Sequence, residues 1–174
     1  MYRFTKSAIA VGTMVAAGAV NAATATATFP VTATVLARCT VTASALNFGS
    51  YNPGAGVVDV SATNNVVVNC TRNTAFTVGL NAGLAPAATV TTRRMRSAGT
   101  PAEELAYSLF TTAGRTINWG DTVPNGAQTG TGAGMGAPQA QNFTVHGRIP
   151  DSAANQNALV AADYADTITV TVTY

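Results

Sequence analysis

Tyr164-Ala-Asp-Thr-Ile-Thr-Val-Thr-Val-Thr-Tyr174 alternates without a fault. Side chains on a strand alternate sides, so Ile168, Val170, Val172 and Tyr174 share one face, and Thr167, Thr169, Thr171 and Thr173 the other. The opposite end of the chain carries a second such run. Ala25, Ala27, Phe29, Val31, Ala33 and Val35 alternate with Thr24, Thr26, Thr28, Pro30, Thr32 and Thr34. A β protein with a strong strand at each extremity either closes on itself or lends one of them to another chain.

The first 22 residues read as a signal peptide. Arg3 and Lys6 give a positive start, Ala8 to Val20 an apolar stretch too short to span a bilayer, and Val20-Asn21-Ala22 a small-residue cleavage site. Without them, Arg38, Arg72, Arg93, Arg94, Arg96, Arg115 and Arg148 balance Asp59, Glu103, Glu104, Asp121, Asp151, Asp163 and Asp166. Bulk charge therefore gives no argument for nucleic acid or an anionic membrane. About 150 mature residues suit one domain. Thr, Val, Ala and Gly dominate, long charged helix formers are scarce, and short alternating runs recur between Gly, Asn and Pro, which predicts an all-β fold. Cys39 and Cys70 are the only cysteines, and export predicts one disulfide between them. In the chain-entropy picture it contributes roughly 3.5 kcal/mol.

Along the chain the patterning predicts strands at Cys39-Thr-Val-Thr, Val57 to Val60, Val66 to Cys70, Ala75 to Leu80, Thr91 to Arg96, Leu105 to Thr111, Thr116 to Trp119, Asn142 to Ile149 and the terminal run. Leu46 to Tyr51 leads to a turn at Asn52-Pro53-Gly54, and Asp121 to Pro138 reads as a Gly-rich surface loop. Short strands with turns between them predict an immunoglobulin-type sandwich. Only Leu36, Ala37 and Arg38 separate Val35 from Cys39, with no turn residue among them. The N-terminal strand therefore cannot double back beside the disulfide-pinned one. Extended over about 40 Å, it is an arm that needs a partner.

No constellation for catalysis emerges. Gly132-Ala-Gly-Met-Gly-Ala137 has nucleotide-loop spacing but lacks the flanking strand and helix. His146 is the sole histidine and reads as a core or edge residue, and no Gly-x-Ser-x-Gly motif occurs. Asp163 and Asp166 read as turn residues at the start of the last strand rather than a glycosidase pair. Trp119 reads as core rather than a sugar platform. Arg93, Arg94 and Arg96 read as a charged edge that discourages pairing. Asn69-Cys-Thr71 and Asn142-Phe-Thr144 match glycosylation acceptors by chance. No enzyme activity, cofactor, metal, small-molecule substrate or nucleic acid is expected.

Several blocks in order carry a family resemblance: Cys39-Thr-Val with Val66-Val-Val-Asn-Cys70, Leu46-Asn-Phe-Gly-Ser-Tyr51, Leu105-Ala-Tyr-Ser-Leu-Phe110, Asn118-Trp-Gly-Asp121, Gly147-Arg-Ile-Pro150 and Asp163 to Tyr174. The chain resembles the spore coat protein U domain family, whose members include major pilins of archaic chaperone-usher pili. The resemblance implies an incomplete immunoglobulin-like β-sandwich completed by an inter-subunit donor strand, a form of β-strand addition. It implies a signal peptide at 1–22, a donor arm at 23–36 and a pilin domain at 37–174. Phe29, Val31, Ala33 and Val35 map onto the donor anchors. Ile168, Val170, Val172 and Tyr174 map onto the acceptor edge and onto the chaperone contact, with capture of the Tyr174 carboxylate. Ala33 is a small anchor, Pro30 removes one ladder donor, and His146 stands where the family often has Tyr. The implied partners are further copies or related subunits, a periplasmic chaperone and an outer-membrane usher. The implied role is a secreted surface pilus that supports adhesion and biofilm formation. Two rivals remain. One is a monomeric secreted coat or carbohydrate-binding sandwich; the other is a small outer-membrane barrel, which the single Trp and the disulfide fit poorly.

Overall fold

The computed structural model describes residues 22–54, 60–99 and 102–174. The signal peptide expected at 1–22, apart from Ala22, and residues 57–59 of the strand expected from Val57 to Val60 lie outside the described residues. The chain divides into two units, Met1–Thr34 and Val35–Tyr174. In the first, residues 22–34 lie in no strand and every one is exposed. A lone extended run has no ladder to join, so water satisfies its amides and carbonyls.

Among its described residues the second unit holds eight strands, one short α-helix and two 3-10 turns at Val123–Asn125 and Ala137–Gln139. The strands and the α-helix are β1 (Cys39–Ala43), β2 (Val60–Cys70), β3 (Ala75–Leu80), β4 (Arg93–Arg96), β5 (Glu104–Phe110), β6 (Gln128–Thr131), β7 (Gln141–Ile149), α1 (Ala153–Gln156) and β8 (Val170–Thr173). Five form a sheet in the order β1-β2-β7-β5-β4, and three a sheet in the order β6-β3-β8. All pairings are antiparallel. The alternation that marks strands also sets the core. Val66, Val68 and Cys70 of β2, Leu105, Tyr107 and Leu109 of β5, and Val145 and Ile149 of β7 pack with Phe76, Val78 and Leu80 of β3. Trp119 joins them, fully enclosed, with its indole N–H donating to the Val78 carbonyl at 2.9 Å. The result is an all-β, immunoglobulin-like sandwich. Cys39 and Cys70, opposite each other in the β1–β2 ladder, form a disulfide.

Five local expectations are corrected. The terminal run is not one strand: β8 covers only Val170–Thr173, and Ala165 bridges instead to Arg96 of the other sheet. The chain turns a corner between the two sheets there, which a perfect alternation cannot reveal. The expected loop at 121–138 contains β6, whose central Gly130 weakens the strand signal but lets the Phe76 ring lie across it; an added Cβ would sit 2.5 Å from that ring. The expected strand around Val66 to Cys70 extends back unbroken to Val60. Thr116 to Trp119 forms only a bridge, Asn118 to Phe110. Arg93 is not an edge charge: it is completely buried, with its neighbours Arg94 and Arg96 paired to Glu104 at 3.0 and 3.9 Å.

A candidate strand-acceptor groove

Along one side the two sheets approach within 8 Å, Cα to Cα, at strands β1 and β8, but no ladder joins them. β1 is the edge of the large sheet and β8 the edge of the small one. After Ser44, whose amide still donates to Asn65 O at 3.2 Å, the chain leaves β2 and residues 45–50 belong to no strand. Leu46, Phe48 and Tyr51 nevertheless pack on the core as one rim. Gly147 makes this possible, because a Cβ there would sit 2.8 Å from Phe48 and 3.0 Å from Leu46. Tyr164, Ile168 and Val170 form the other rim. Between them lies an apolar groove of about 480 Å³ floored by Val66, Leu80, Tyr107, Leu109 and Val145. A second depression of about 560 Å³ continues it past Met95 and Leu105 to Pro53, Leu159 and Val160. They share Leu46, Phe48, Met95 and Tyr164. Together they make a long trough opening onto core side chains.

The β8 rim offers backbone as well as apolar surface. Val170 opposes Leu80 and Thr173 opposes Thr77. One residue further, Asn81 N donates to Thr169 O at 3.1 Å and Thr169 N to Asn81 Oδ1 at 2.9 Å. In an antiparallel ladder the alternate residues then turn their amides and carbonyls the other way. Ile168, Val170 and Val172 thus present ladder groups along the groove that no described residue pairs, while their side chains point to the core. Asn64 Oδ1, buried on the groove wall, has no hydrogen-bond partner among the described residues, although its Nδ2 donates to Ser44 O.

The groove wall is braced by a polar cluster. Tyr107 donates its hydroxyl to Asp166 Oδ2 at 2.6 Å, and Asp166 Oδ1 accepts from Leu84 N at 2.8 Å and Thr167 N at 2.7 Å. Gly83 gives way to this carboxylate: its φ is +87°, and a side chain there would collide with Asp166. Behind it Arg93 donates to the carbonyls of Asn81 at 2.8 Å, Val90 at 2.7 Å, Leu80 at 3.0 Å and Trp119 at 2.7 Å. Burial lowers the Arg93 guanidinium below its ordinary value, and the Tyr107, Asp166 and Asp121 charges oppose that shift. Burial, followed by the bond to Asp166, holds the Tyr107 phenol well above its own.

Of the residues singled out in the sequence, Ile168 and Val170 line the groove, and Val172 continues their face. Tyr174 follows β8 and is 59% exposed. Phe29, Val31 and Val35 are 81, 84 and 86% exposed, and Ala33 is exposed too. The sequence reading missed the opposite rim of Leu46 and Phe48, the wall residue Asn64, and Tyr164. Leu46-Asn-Phe-Gly alternates over too few positions to reveal a rim, and the signal for Asn64 was its inward position in a strand of valines. Among the described residues no three His, Cys, Asp or Glu gather as a metal site, and no helix is long and apolar enough to cross a membrane.

Residues 25–171 match the Spore Coat Protein U domain. The chain is 36% identical to Protein U of Myxococcus xanthus over 180 residues, covering 95% of this chain and 93% of that protein. Its fold superposes with TM-score 0.57 and 26% identity on a chain of the CsuC–CsuE chaperone-tip adhesion subunit pre-assembly complex from the archaic chaperone-usher Csu pili of Acinetobacter baumannii. That match covers 81% of this chain and only 41% of the solved one. With the match spanning nearly all of the described sandwich, the chain belongs to the Spore Coat Protein U domain family.

Proposed function

We propose that the chain is a structural, non-enzymatic subunit of a chaperone-usher surface fibre, exported through the periplasm and polymerised by donor-strand complementation. Residues 1–22 are removed on export, 23–36 form the donor arm and 37–174 the acceptor domain. The arm of one copy lies in the groove of another, with Phe29, Val31, Ala33 and Val35 facing the core. Ile168, Val170, Val172 and Tyr174 form the receiving edge. Before assembly a periplasmic chaperone covers the same edge and the carboxylate of Tyr174, and an outer-membrane usher exchanges it for the next arm. The fibre supports attachment and biofilm formation.

The observation that carries this reading is the open groove, rimmed by the unpaired edge of β8 and floored by core side chains. Water against such a floor costs about 25 cal/mol for each Å² of apolar surface, and each unmet buried ladder group about 1 to 3 kcal/mol. A strand of alternating apolar residues removes both penalties at once. The test compares the mature chain with one lacking residues 23–36. Polymers that resist mild detergent are expected only from the former. Equal polymer from both chains, or folded monomers of the full chain that persist without a chaperone, sinks the proposal.

A further inference from the structure

Charges are unevenly placed along the strand direction, although Arg94, Arg96 and Arg148 stand at the same end as most of the carboxylates. Arg38 is tied to Thr71 by backbone and side-chain hydrogen bonds of 2.9 and 3.1 Å, so Arg38 and Arg72 stand together at the Cys39–Cys70 end, both exposed. The described acidic side chains lie elsewhere. Glu104 opposes Arg96 at the far end of the large sheet, Glu103 precedes it, and Asp163 Oδ2 accepts from Ala98 N at 3.0 Å at the same end. Glu104 is satisfied by Arg94 and Arg96, whereas Glu103 and Asp163 have no ion pair among the described residues. Both flank Tyr164 at the mouth of the groove, where their negative charge adds to burial in raising its phenol above the ordinary value. Leu159 and Val160 at that mouth are 59 and 105% exposed.

We propose that a second interface forms as the arm seats: Arg38 and Arg72 of one copy dock against Glu103 and Asp163 at the groove mouth of the next, with Leu36 covering Leu159 and Val160. This rests on the donor-arm reading and adds a contact outside the groove. Arg38 lies three residues beyond Val35, about 10 Å of extended chain, so it must land near whichever end of the groove the arm leaves. Leaving at the Cys39–Cys70 end brings two arginine pairs together. Leaving at the opposite end brings arginines to carboxylates, and Leu36, 77% exposed in the free chain, to exposed apolar side chains. The charge distribution therefore selects insertion antiparallel to β8. Contacts of this kind act within about 8 Å at physiological salt and mainly speed association.

Two measurements on the full mature chain test it. At low salt, R38E/R72E and E103K/D163K are each expected to slow polymer growth about tenfold, and the four changes combined to restore it to within about twofold. Zero-length carbodiimide coupling supplies the geometry. Lys6 is the only lysine in the sequence, so in the mature chain R38K/R72K adds the only side-chain amines, beside the N-terminal α-amine. Mixed polymers of nitrogen-14 and nitrogen-15 chains are expected to yield intermolecular links from positions 38 or 72 to Glu103 or Asp163. Unchanged growth in both pair reversals, a combined variant that stays slow, or polymers without these links overturns the contact while leaving the arm reading intact. Polymer growth by the chain lacking residues 23–36 overturns the arm reading and this contact with it.

Discussion

Arg93 shows how one residue can tie two sheets together without meeting a carboxylate. Its guanidinium, wholly enclosed, gives four hydrogen bonds to carbonyls of three separate segments, among them the end of β3 and Trp119. Planar, fixed donors suit that task, and a lysine ammonium cannot span it. R93M leaves the carbonyls buried and unmet, and the melt of the domain is expected to show a loss of at least about 3 kcal/mol, with R93K intermediate. A melt of R93M equal to the parent refutes the role. Tyr107 gives a pH signature. Its phenol is held neutral in the fold to a higher pH than the ordinary value of about 10 at which the unfolded chain ionises. The stability it contributes is therefore full below that value and declines as pH rises above it. Between about pH 9 and 11 the melting temperature is expected to fall more steeply for the parent than for Y107F, which also loses the Asp166 bond, about 1 to 2 kcal/mol. Parallel slopes refute the assignment.

At the level of elements, alternation is informative where a strand is half buried and silent where the backbone itself is the message. Ile168, Val170 and Val172 announced their inward face, and β3, β5 and β7 could be read within a residue or two, because each sends every second side chain to one core. β6 could not, since Gly130 serves Phe76 rather than the strand. Arg93 could not either: three arginines within four residues look like a solvent edge, and only the carbonyls converging from β3 and Trp119 reveal a core. The corner at Ala165 is equally invisible in a run of Thr and apolar residues. β8 yields a prediction that side-chain burial alone does not. Thr171 directs its amide to β3 and Val172 directs its amide to the groove. T171P is expected to destabilise the isolated domain by about 1 kcal/mol or more beyond V172P, through the lost ladder bond. V172P is expected instead to impair polymer formation. Hydrogen exchange and melting measure the first effect and sedimentation the second; the reverse ranking refutes the edge assignment.

For the whole molecule, the balance between the free and assembled forms lies with the acceptor. Ordering the arm costs about 1 to 2 kcal/mol per residue, which offsets most of what its ladder bonds and anchors return. The remaining gain comes from closing the trough that runs from Val170 to Val160 and from pairing the idle edge of β8. On the donor-strand reading proposed above, such a subunit is expected to be weak alone and durable in a fibre. Appending residues 23–36 through a short flexible linker after Tyr174 turns that exchange into an intramolecular one and removes concentration from the problem. The fused chain is expected to melt well above the parent and to stay monomeric when its own N-terminal arm is deleted. Within the appended arm, F29A forfeits about 1.5 to 3 kcal/mol of burial, a fall of roughly 3 to 12 °C for a domain of this size. A33G has little apolar surface to lose and is expected to fall less. If the fused and unfused chains melt together, the groove is not an acceptor, because no other strand among the described residues pairs that edge.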